Sequence, residues 1–226
     1  MSKFSLLILS AGFGKRMLDL TKQIPKPMLK FKNKTLIGNT INFFRQVGFN
    51  EIFINTHYLY DKIESYINTN YKNEPISIIY EPRILGTGGA VKNIFNYTKN
   101  KNICVVNSDI FWKEDNKSDI VNFLKDFNDN TYCKILLSKK SNFYGLQTNK
   151  GDFSIKGKII SNWTDGNEVI YYSGFQIVNI DIFHNIRGIF SMNNIWNDLI
   201  LNNKLKGELI QSNILHIGDK NTFHKL

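Results

Sequence analysis

The chain has 226 residues, of which 42% are hydrophobic and 13% aromatic, and it contains two cysteines. This composition excludes a disordered protein, and a chain of this length buries enough surface to fold without disulfide bonds. The net charge is +10, but the basic residues form no continuous block, so neither a nucleic-acid partner nor a membrane partner is predicted. The first apolar run is too short for a signal peptide or a membrane span, which predicts a cytoplasmic protein. The sequence does not specify an oligomeric state.

Strand-like and helix-like segments alternate through the first half of the chain. Continuous apolar runs predict buried strands, and apolar residues at helical spacing predict helices between them. The predicted strands are 4–9, 51–55, 76–80 and 103–106, and the predicted helices are 36–47, 58–67 and 86–97. This alternation predicts parallel βαβ units, in which ligands bind beyond the carboxyl ends of the strands.

The second half of the chain is less regular. Helices are predicted at 118–127 and 195–205, strands at 134–138 and 171–180, a hairpin at 151–160, and a strand or strand pair at 209–217. The strand at 171–180 is expected to be interrupted at Gly174. We expect this half to fold back on the same sheet. Cys104 and Cys133 lie in apolar runs and are predicted to be buried free thiols.

A glycine-rich segment with two cations follows the first predicted strand. Gly12 and Gly14 let the backbone approach an anion, because N–H groups in a turn without side chains can point at phosphate oxygens. Lys15 and Arg16 add positive charge at the same place. A surface turn with two solvated cations is the alternative interpretation. The spacing matches neither a P-loop nor a dinucleotide fingerprint, since Arg16 and Met17 stand where those motifs need Ser or Thr and a third glycine.

Two further clusters follow later predicted strands. A second glycine-rich segment runs from Glu81 to Val91, and main-chain groups exposed by glycines can read the edge of a nucleobase. A glycine-rich helix start without a ligand is the alternative interpretation. Asp109 comes just past the fourth predicted strand, and carboxylate oxygens are the ligands that Mg²⁺ prefers. A lone Asp after a strand is more often a turn or cap residue, so its position relative to the other two clusters is what supports Asp109.

Together these motifs resemble the sugar-phosphate nucleotidyltransferase family. In that family the first strand leads into a Gly-x-Gly-x-Arg loop and then a Pro-Lys-Pro segment, here Pro25, Lys26 and Pro27. The resemblance extends across nearly the whole chain. It implies an α/β, Rossmann-like fold with a mixed, mostly parallel central sheet flanked by helices and a small β-rich sugar-binding lobe. It further implies a Mg²⁺-dependent enzyme that joins a nucleoside triphosphate to a sugar 1-phosphate and releases pyrophosphate. Residues 1–226 would form one domain, with a nucleotide-binding half at 1–110 and a sugar-phosphate-binding half at 111–226.

The resemblance also implies roles for individual residues. Arg16, Lys26 and Asp109 would be catalytic, and Asn107, Asp152 and Gly174 would bind the sugar. The nucleotide would be bound by Ala11, Gly12, Gly14, Lys15, Glu81, Gly86, Thr87 and Gly88.

The metal ligands implied by the resemblance are Asp109 and His216. His216 stands where relatives have a second Asp, and Asp219 lies three residues later. Three alternatives therefore remain: His216 binds the metal or a phosphate, Asp219 substitutes for the missing carboxylate, or Asp109 alone suffices. A partly buried structural histidine is the interpretation without a ligand.

Short segments of the chain resemble the branch that acts on N-acetylmuramic acid 1-phosphate with UTP, which is the favoured prediction. These segments are Asn55-Thr56-His57-Tyr58, Gly151-Asp152-Phe153, Tyr172-Ser173-Gly174-Phe175 and Ile195-Trp196-Asn197-Asp198. A guanylyltransferase for mannose or heptose 1-phosphate is the alternative within the same fold. A glycosyltransferase would need an Asp-x-Asp motif where residue 107 is Asn. A non-catalytic nucleotide- or RNA-binding protein is the alternative of a different class.

Overall fold

A computed structural model of the chain describes residues 4–128, 130–146 and 148–225. The strands are β1 (Ser5–Leu9), β2 (Lys30–Phe31), β3 (Lys34–Thr35), β4 (Ile52–Thr56), β5 (Ile76–Tyr80), β6 (Asn102–Asn107), β7 (Ile110–Phe111), β8 (Cys133–Lys139), β9 (Phe143–Tyr144), β10 (Phe153–Lys156), β11 (Ile159–Asn162), β12 (Ile170–Asn179), β13 (Leu205–Leu209) and β14 (Ile214–His216). The helices are α1 (Leu36–Val47), α2 (Tyr60–Asn70), α3 (Gly86–Ile94), α4 (Asn116–Lys125), α5 (Met192–Leu201) and α6 (Lys220–Lys225). Short 3₁₀ helices occupy Lys15–Thr21, Lys26–Met28, Lys140–Asn142 and Ile180–Phe183. Within the described ranges, no helix combines the length and apolar character that crossing a bilayer requires.

Nine strands form one mixed central sheet, in the order β10-β11-β13-β8-β12-β6-β1-β4-β5. The β6-β1-β4-β5 part is parallel, which confirms the prediction for the first half of the chain. Strand β12 runs antiparallel to both β6 and β8, so the second half joins the same sheet, as expected. A separate three-stranded sheet, β7-β14-β9, and the β2-β3 pair lie outside it. The predicted α/β fold with a mixed sheet and flanking helices is therefore confirmed.

Local signals account for the helix boundaries in the first half. Helix α1 begins after Thr35, whose side chain accepts the Gly38 N–H, and ends at Gly48, which has a φ of 106°. Its apolar face packs against one side of the sheet together with α2 and α4, while α3 and α5 cover the opposite side. Because both faces are covered, the successive β1 residues Leu6 and Leu7 are both fully buried.

The second half differs from the sequence prediction in two elements. The helix predicted at 195–205 is α5, which begins earlier because Ser191 caps it by accepting the Asn193 N–H, and which ends earlier, at Leu201. Leu205 instead starts β13, which pairs in parallel with β8. The segment predicted at 209–217 as a strand or strand pair contains Leu209, the last residue of β13, and β14, which lies in the smaller sheet. Leu205 stands four residues after Leu201, which is also the spacing of one helix face, so apolar spacing alone does not reveal the break after Leu201.

Two further predictions about the second half are confirmed. Strand β12 is interrupted at Gly174, which has a φ of 86°, and the pairing with β8 shifts register between Tyr172 and Gln176. Cys104 and Cys133 are free and buried, and burial raises the pKa of both thiols.

Candidate active site

A cavity of about 440 Å³ opens at the carboxyl ends of the parallel strands. Segments that follow β1, β5 and β6 all line it, as the parallel topology predicts. The predicted site residues along its wall are Ala11, Gly12, Gly14, Lys15, Arg16, Lys26, Glu81, Gly86, Thr87, Asn107 and Asp109. The fold thus gathers three distant clusters around one hollow, which we call the first cavity.

Asp109 is the centre of the polar contacts in the first cavity. Lys26 Nζ donates to Asp109 Oδ2 at 2.7 Å and to the Gly218 carbonyl oxygen at 3.1 Å. His216 Nε2 lies 3.4 Å from the same Asp109 oxygen. Burial alone would raise the pKa of the Asp109 carboxyl, but Lys26 and His216 together hold that pKa well below its usual range. Asp109 is therefore ionised at neutral pH.

The second carboxylate oxygen of Asp109 fits a divalent cation. Asp109 Oδ1 is buried and makes no hydrogen bond with the part of the chain that the structure describes. Asp109 lines the first cavity. Mg²⁺ accepts an ionised carboxylate oxygen as a ligand, together with phosphate oxygens and water. Within the described ranges there is no group of three or more His, Cys, Asp and Glu side chains arranged to hold a metal. The chain by itself therefore offers an incomplete coordination shell, which substrate oxygens would have to complete.

The two candidate side chains near the carboxyl end, His216 and Asp219, have different contacts in the structure. His216 reaches Asp109, and its Nδ1 is buried without a hydrogen-bond partner among the described residues. Asp219 accepts the Thr222 N–H at 2.9 Å and the Thr222 hydroxyl at 3.1 Å, which caps α6. The Asp219 carboxylate is thus engaged locally, whereas His216 contacts the central carboxylate.

The loop after β1 depends on glycine at one position. Gly14 has a φ of 66°, and a Cβ there would lie 3.0 Å from Thr21 Cγ2 and 3.1 Å from Lys26 Cβ. A side chain would therefore strain the backbone and press on the Lys26 segment. Met17 is fully buried and donates its N–H to the Gly14 carbonyl, which anchors the turn that carries Arg16. The Arg16 side chain remains exposed at the cavity.

A buried side-chain network joins the end of β4 to the loops after β1 and β5. Asn55 accepts the Ser10 N–H at 2.9 Å and donates to Glu81 Oε1 at 2.8 Å. Glu81 Oε2 accepts the Leu85 N–H at 3.1 Å, so both Glu81 oxygens are bonded within the protein. Glu81 lines the cavity, but these bonds give it a positioning role between loops. Asn55 was not among the predicted site residues, although it lies in one of the segments that carry the resemblance.

Some residues of the second glycine-rich segment line the first cavity, and others make packing contacts within the protein. Gly86 and Thr87 line the first cavity; Gly86 has a φ of 74°, and a Cβ there would lie 2.5 Å from the Phe190 carbonyl oxygen. Gly88 is not among the lining residues. It packs against the Phe190 ring and donates its N–H to the Phe190 carbonyl at 3.0 Å. Its place in the structure is at the contact between α3 and the segment that precedes α5.

A second cavity, of about 620 Å³, adjoins the first. The residues common to both cavities are Leu9, Arg16, Thr87 and Asn107. The second cavity is otherwise lined by Asp152, Phe153, Asn162, Tyr172, Gln176, Ser191, Met192, Asn193, Trp196 and Asn197. A molecule in each cavity would therefore meet the other beside Arg16.

Two of the three predicted sugar-binding residues line the second cavity. Asn107 and Asp152 lie in its wall, whereas Gly174 does not. A Cβ on Gly174 would lie 2.6 Å from Ile110 Cγ1 and 3.4 Å from Asn107 Cβ, so Gly174 backs the wall from behind Asn107. Gln176 and the exposed Asn residues of this cavity were not predicted. Nothing in the local sequence separates them from surface residues.

Comparison with known proteins agrees with this geometry. The family model described as "Nucleotidyl transferase" matches residues 5–157. A D-glycero-alpha-D-manno-heptose 1-phosphate guanylyltransferase from Aneurinibacillus thermoaerophilus is 31% identical over 109 residues, which are 48% of this chain and 47% of the relative. An N-acetylmuramate alpha-1-phosphate uridylyltransferase from Caulobacter vibrioides is 25% identical over 222 residues, which are 94% of this chain and 91% of the relative.

Among solved structures, HddC from Yersinia pseudotuberculosis complexed with GMP-PN matches with a TM-score of 0.75 and 23% identity, over 98% of this chain and 96% of that chain. At that identity the likeness establishes the fold. Against the heptose guanylyltransferases from Aneurinibacillus thermoaerophilus and Campylobacter jejuni, this chain spans about half of the relative's length, 47% and 58% respectively.

Proposed function

Because the chain belongs to the nucleotidyl transferase family, we propose that it transfers a nucleoside monophosphate from a nucleoside triphosphate to a sugar 1-phosphate and releases pyrophosphate. The observation that carries this proposal is the pair of adjoining cavities that meet at Arg16. The first cavity, with Lys15, Arg16 and Lys26, suits a triphosphate. The second cavity, formed largely by residues 152–197, suits the sugar. The nucleotide-binding and sugar-binding roles of the two halves of the chain are part of this proposal.

The proposed reaction is an in-line displacement at the α-phosphorus. A phosphate oxygen of the sugar 1-phosphate attacks, the bond to the β-phosphate oxygen breaks, and pyrophosphate leaves with that electron pair. The nucleophile is already an anion, so no general base is required. Arg16, at the junction of the cavities, stabilises the charge that develops on the α-phosphoryl group, and Lys26 adds positive charge beside it.

The side chains around Asp109 fit a divalent-metal role. Asp109 Oδ1 would hold the cation, for which Mg²⁺ is our prediction, and the cation when bound would neutralise phosphate charge. Lys26 and His216 both contact Oδ2, so they orient the carboxylate and keep it ionised. His216 also remains a candidate ligand, since imidazole suits softer divalent ions better than it suits Mg²⁺.

Two nucleotides are candidates, each supported by a different relative. UTP is the first, because the uridylyltransferase from Caulobacter vibrioides aligns over 94% of this chain and the sequence carries short segments that resemble its branch. GTP is the second, because the heptose guanylyltransferases are more identical over a shorter region. The corresponding acceptors are N-acetylmuramic acid 1-phosphate and a heptose or mannose 1-phosphate.

A pyrophosphate-release assay tests the proposal. The purified protein with Mg²⁺ is given UTP, GTP, CTP or ATP, each combined with a panel of sugar 1-phosphates. We expect release that requires both substrates and that is fastest with UTP or GTP. Tight triphosphate binding without release from any combination, with Mn²⁺ as well as Mg²⁺, would contradict the proposal and support a non-catalytic nucleotide-binding protein. Binding to RNA with a steep salt dependence would support the RNA-binding alternative instead.

A further inference from the structure

The second cavity has very little positive charge. Among the described residues that line it, Arg16 is the only cation and Asp152 is the only carboxylate. The other polar groups are neutral, and five of them are carboxamides: Asn107, Asn162, Gln176, Asn193 and Asn197. Neutral donors and acceptors match hydroxyl and amide groups, whereas a buried anion needs a charged partner.

Under the proposed function, Arg16, the one cation among the described residues that line the second cavity, binds phosphate. Arg16 lies at the boundary with the first cavity, where the phosphate of the acceptor and the α-phosphate of the triphosphate would meet. A guanidinium group binds phosphate oxygens in a forked geometry. The negative charge of two phosphates is already larger than the single positive charge of Arg16. No other lining cation of the described chain remains for a second anionic group on the acceptor.

Helix α5 begins at the wall of this cavity, but its first N–H groups are already bonded. The Met192 N–H donates to Thr87 Oγ1 at 2.9 Å. The Asn193 N–H donates to Ser191 Oγ at 3.2 Å, and the Asn194 N–H donates to the Ser191 carbonyl oxygen at 3.1 Å. A helix N-terminus attracts anions mainly through free N–H groups. This one therefore does not replace the missing cation.

Asp152 adds negative charge to the wall of the second cavity. Asp152 Oδ2 accepts the Tyr172 N–H at 2.9 Å, which ties the carboxylate to β12, and its side chain lines the cavity. A carboxylate can accept hydrogen bonds from sugar hydroxyls. A carboxylate on the substrate would instead meet a like charge, and like charges placed together cost binding free energy.

Gln176 is oriented as a hydrogen-bond donor to a ligand in the second cavity, and it adds no positive charge there. It is 2% exposed, and its Oε1 accepts the Trp196 Nε1–H at 3.0 Å and the Cys133 thiol at 3.6 Å. Because both donors bond to Oε1, the NH₂ group of Gln176 remains to donate to a ligand in the cavity. The rings of Phe153 and Tyr172 pack edge-on around Trp196 and form an apolar surface beside this group.

From these contacts we infer that the second cavity selects a sugar 1-phosphate that carries no charge other than its phosphate and discriminates against acidic sugars. The inference rests on the proposed function and narrows the range of sugar 1-phosphates that can serve as the acceptor. N-acetylmuramic acid 1-phosphate, the acceptor that the sequence resemblance favours, bears a lactyl carboxylate. A neutral hexose or heptose 1-phosphate therefore ranks above it.

The test compares kcat/KM for two matched acceptor pairs. The first pair is N-acetylglucosamine 1-phosphate and N-acetylmuramic acid 1-phosphate, and the second is glucose 1-phosphate and glucuronic acid 1-phosphate, which are similar in size. The wild-type protein is expected to favour the neutral member of each pair by roughly tenfold or more. Asp152→Asn, which can still accept the Tyr172 N–H, is expected to reduce that preference by several-fold. Asn162→Lys, which adds a cation to the exposed part of the wall, is expected to reduce it as well.

Asp198→Asn is the matched control. It removes the same charge one residue from Asn197 but lines a separate hollow with Asp181 and Lys204, so the preference should not change. Faster turnover of the acidic member by the wild-type protein would overturn the inference, as would an unchanged preference in both cavity variants. If no acceptor is turned over, the proposed function fails, and calorimetric titration of the same pairs beside a non-hydrolysable triphosphate then decides the inference. Tighter binding of the acidic members in that titration would overturn it.

Discussion

Replacing Asp109 with asparagine is expected to lower the rate of pyrophosphate release by roughly 10²–10³-fold, the usual cost of removing one preorganised electrostatic group. The substitution keeps the shape of the side chain but removes its negative charge, on which Lys26 and His216 converge. It also removes the ionised oxygen, Asp109 Oδ1, that we assign to the metal. Steady-state kinetics at saturating Mg²⁺ would measure the rate, and Mn²⁺ binding followed by electron paramagnetic resonance would measure the loss of the metal ligand.

Asp219→Asn is the control for the Asp109 variant. The Asp219 carboxylate caps α6 through Thr222, so its loss is expected to leave most of the rate intact. Thermal unfolding of both variants would show that each remains folded. An Asp109 variant with near-normal turnover and metal affinity, or an Asp219 variant that loses as much as the Asp109 variant, would contradict the assignment.

Replacing Arg16 with alanine is expected to reduce kcat/KM by roughly 10²–10³-fold while leaving the fold intact. Arg16 is exposed and lines both cavities, so its guanidinium group is placed where the two substrates would react. The turn that carries Arg16 is held by the hydrogen bond from the Met17 N–H to the Gly14 carbonyl oxygen, which does not involve the Arg16 side chain. Most of the loss should appear in kcat, because charge on the α-phosphoryl group develops in the transition state.

Two variants serve as controls for Arg16. Lys22→Ala removes an exposed cation at the end of the same 3₁₀ helix, outside both sets of lining residues, and should have little effect. Arg16→Lys keeps the charge but not the forked geometry, so it should recover only part of the rate. A Lys22 variant as impaired as Arg16→Ala would indicate that the effect comes from overall charge and not from the position of Arg16.

Local patterns in the sequence predicted much of the first half of the fold. Helix α1 has the predicted bounds because its signals are contained in the segment itself, with a cap at Thr35 and a left-handed glycine at Gly48. The convergence of the three clusters was also predictable, because parallel strands place their carboxyl ends at one edge of a sheet. Both inferences need only nearby residues and a general rule of topology.

Contacts between distant segments could not be predicted in the same way. The Asn55–Glu81 bond depends on how the end of β4 lies beside the loop after β5, and neither residue type indicates which residue it will contact. The approach of His216 to Asp109 depends on the pairing of β14 with β7, and only the family resemblance, which implied both residues as metal ligands, indicated it in advance. The end of α5 was misplaced for the same reason, since strand β13 is fixed by its pairing with β8.

Glycines illustrate a further limit of sequence interpretation. Gly88 and Gly174 were both predicted to contact substrate, and these roles stay predictions; the structure places the two glycines in close packing, against Phe190 and Ile110 respectively. Gly86, in the same segment as Gly88, does line the first cavity. Glycine allows close approach by a ligand and by another part of the chain equally well, so the residue type alone does not distinguish the two.

The most direct test of the central claim follows the phosphorus atoms. The protein is incubated with Mg²⁺ and the combination of sugar 1-phosphate and nucleoside triphosphate that gives the fastest pyrophosphate release. The triphosphate is labelled with ³²P at either the α or the γ position. If Arg16, Lys26 and Asp109 enclose the triphosphate beside the acceptor, the α label will appear in a nucleotide-sugar and the γ label in pyrophosphate. Transfer of the γ label to the sugar, or release of either label without a sugar 1-phosphate, would contradict the account.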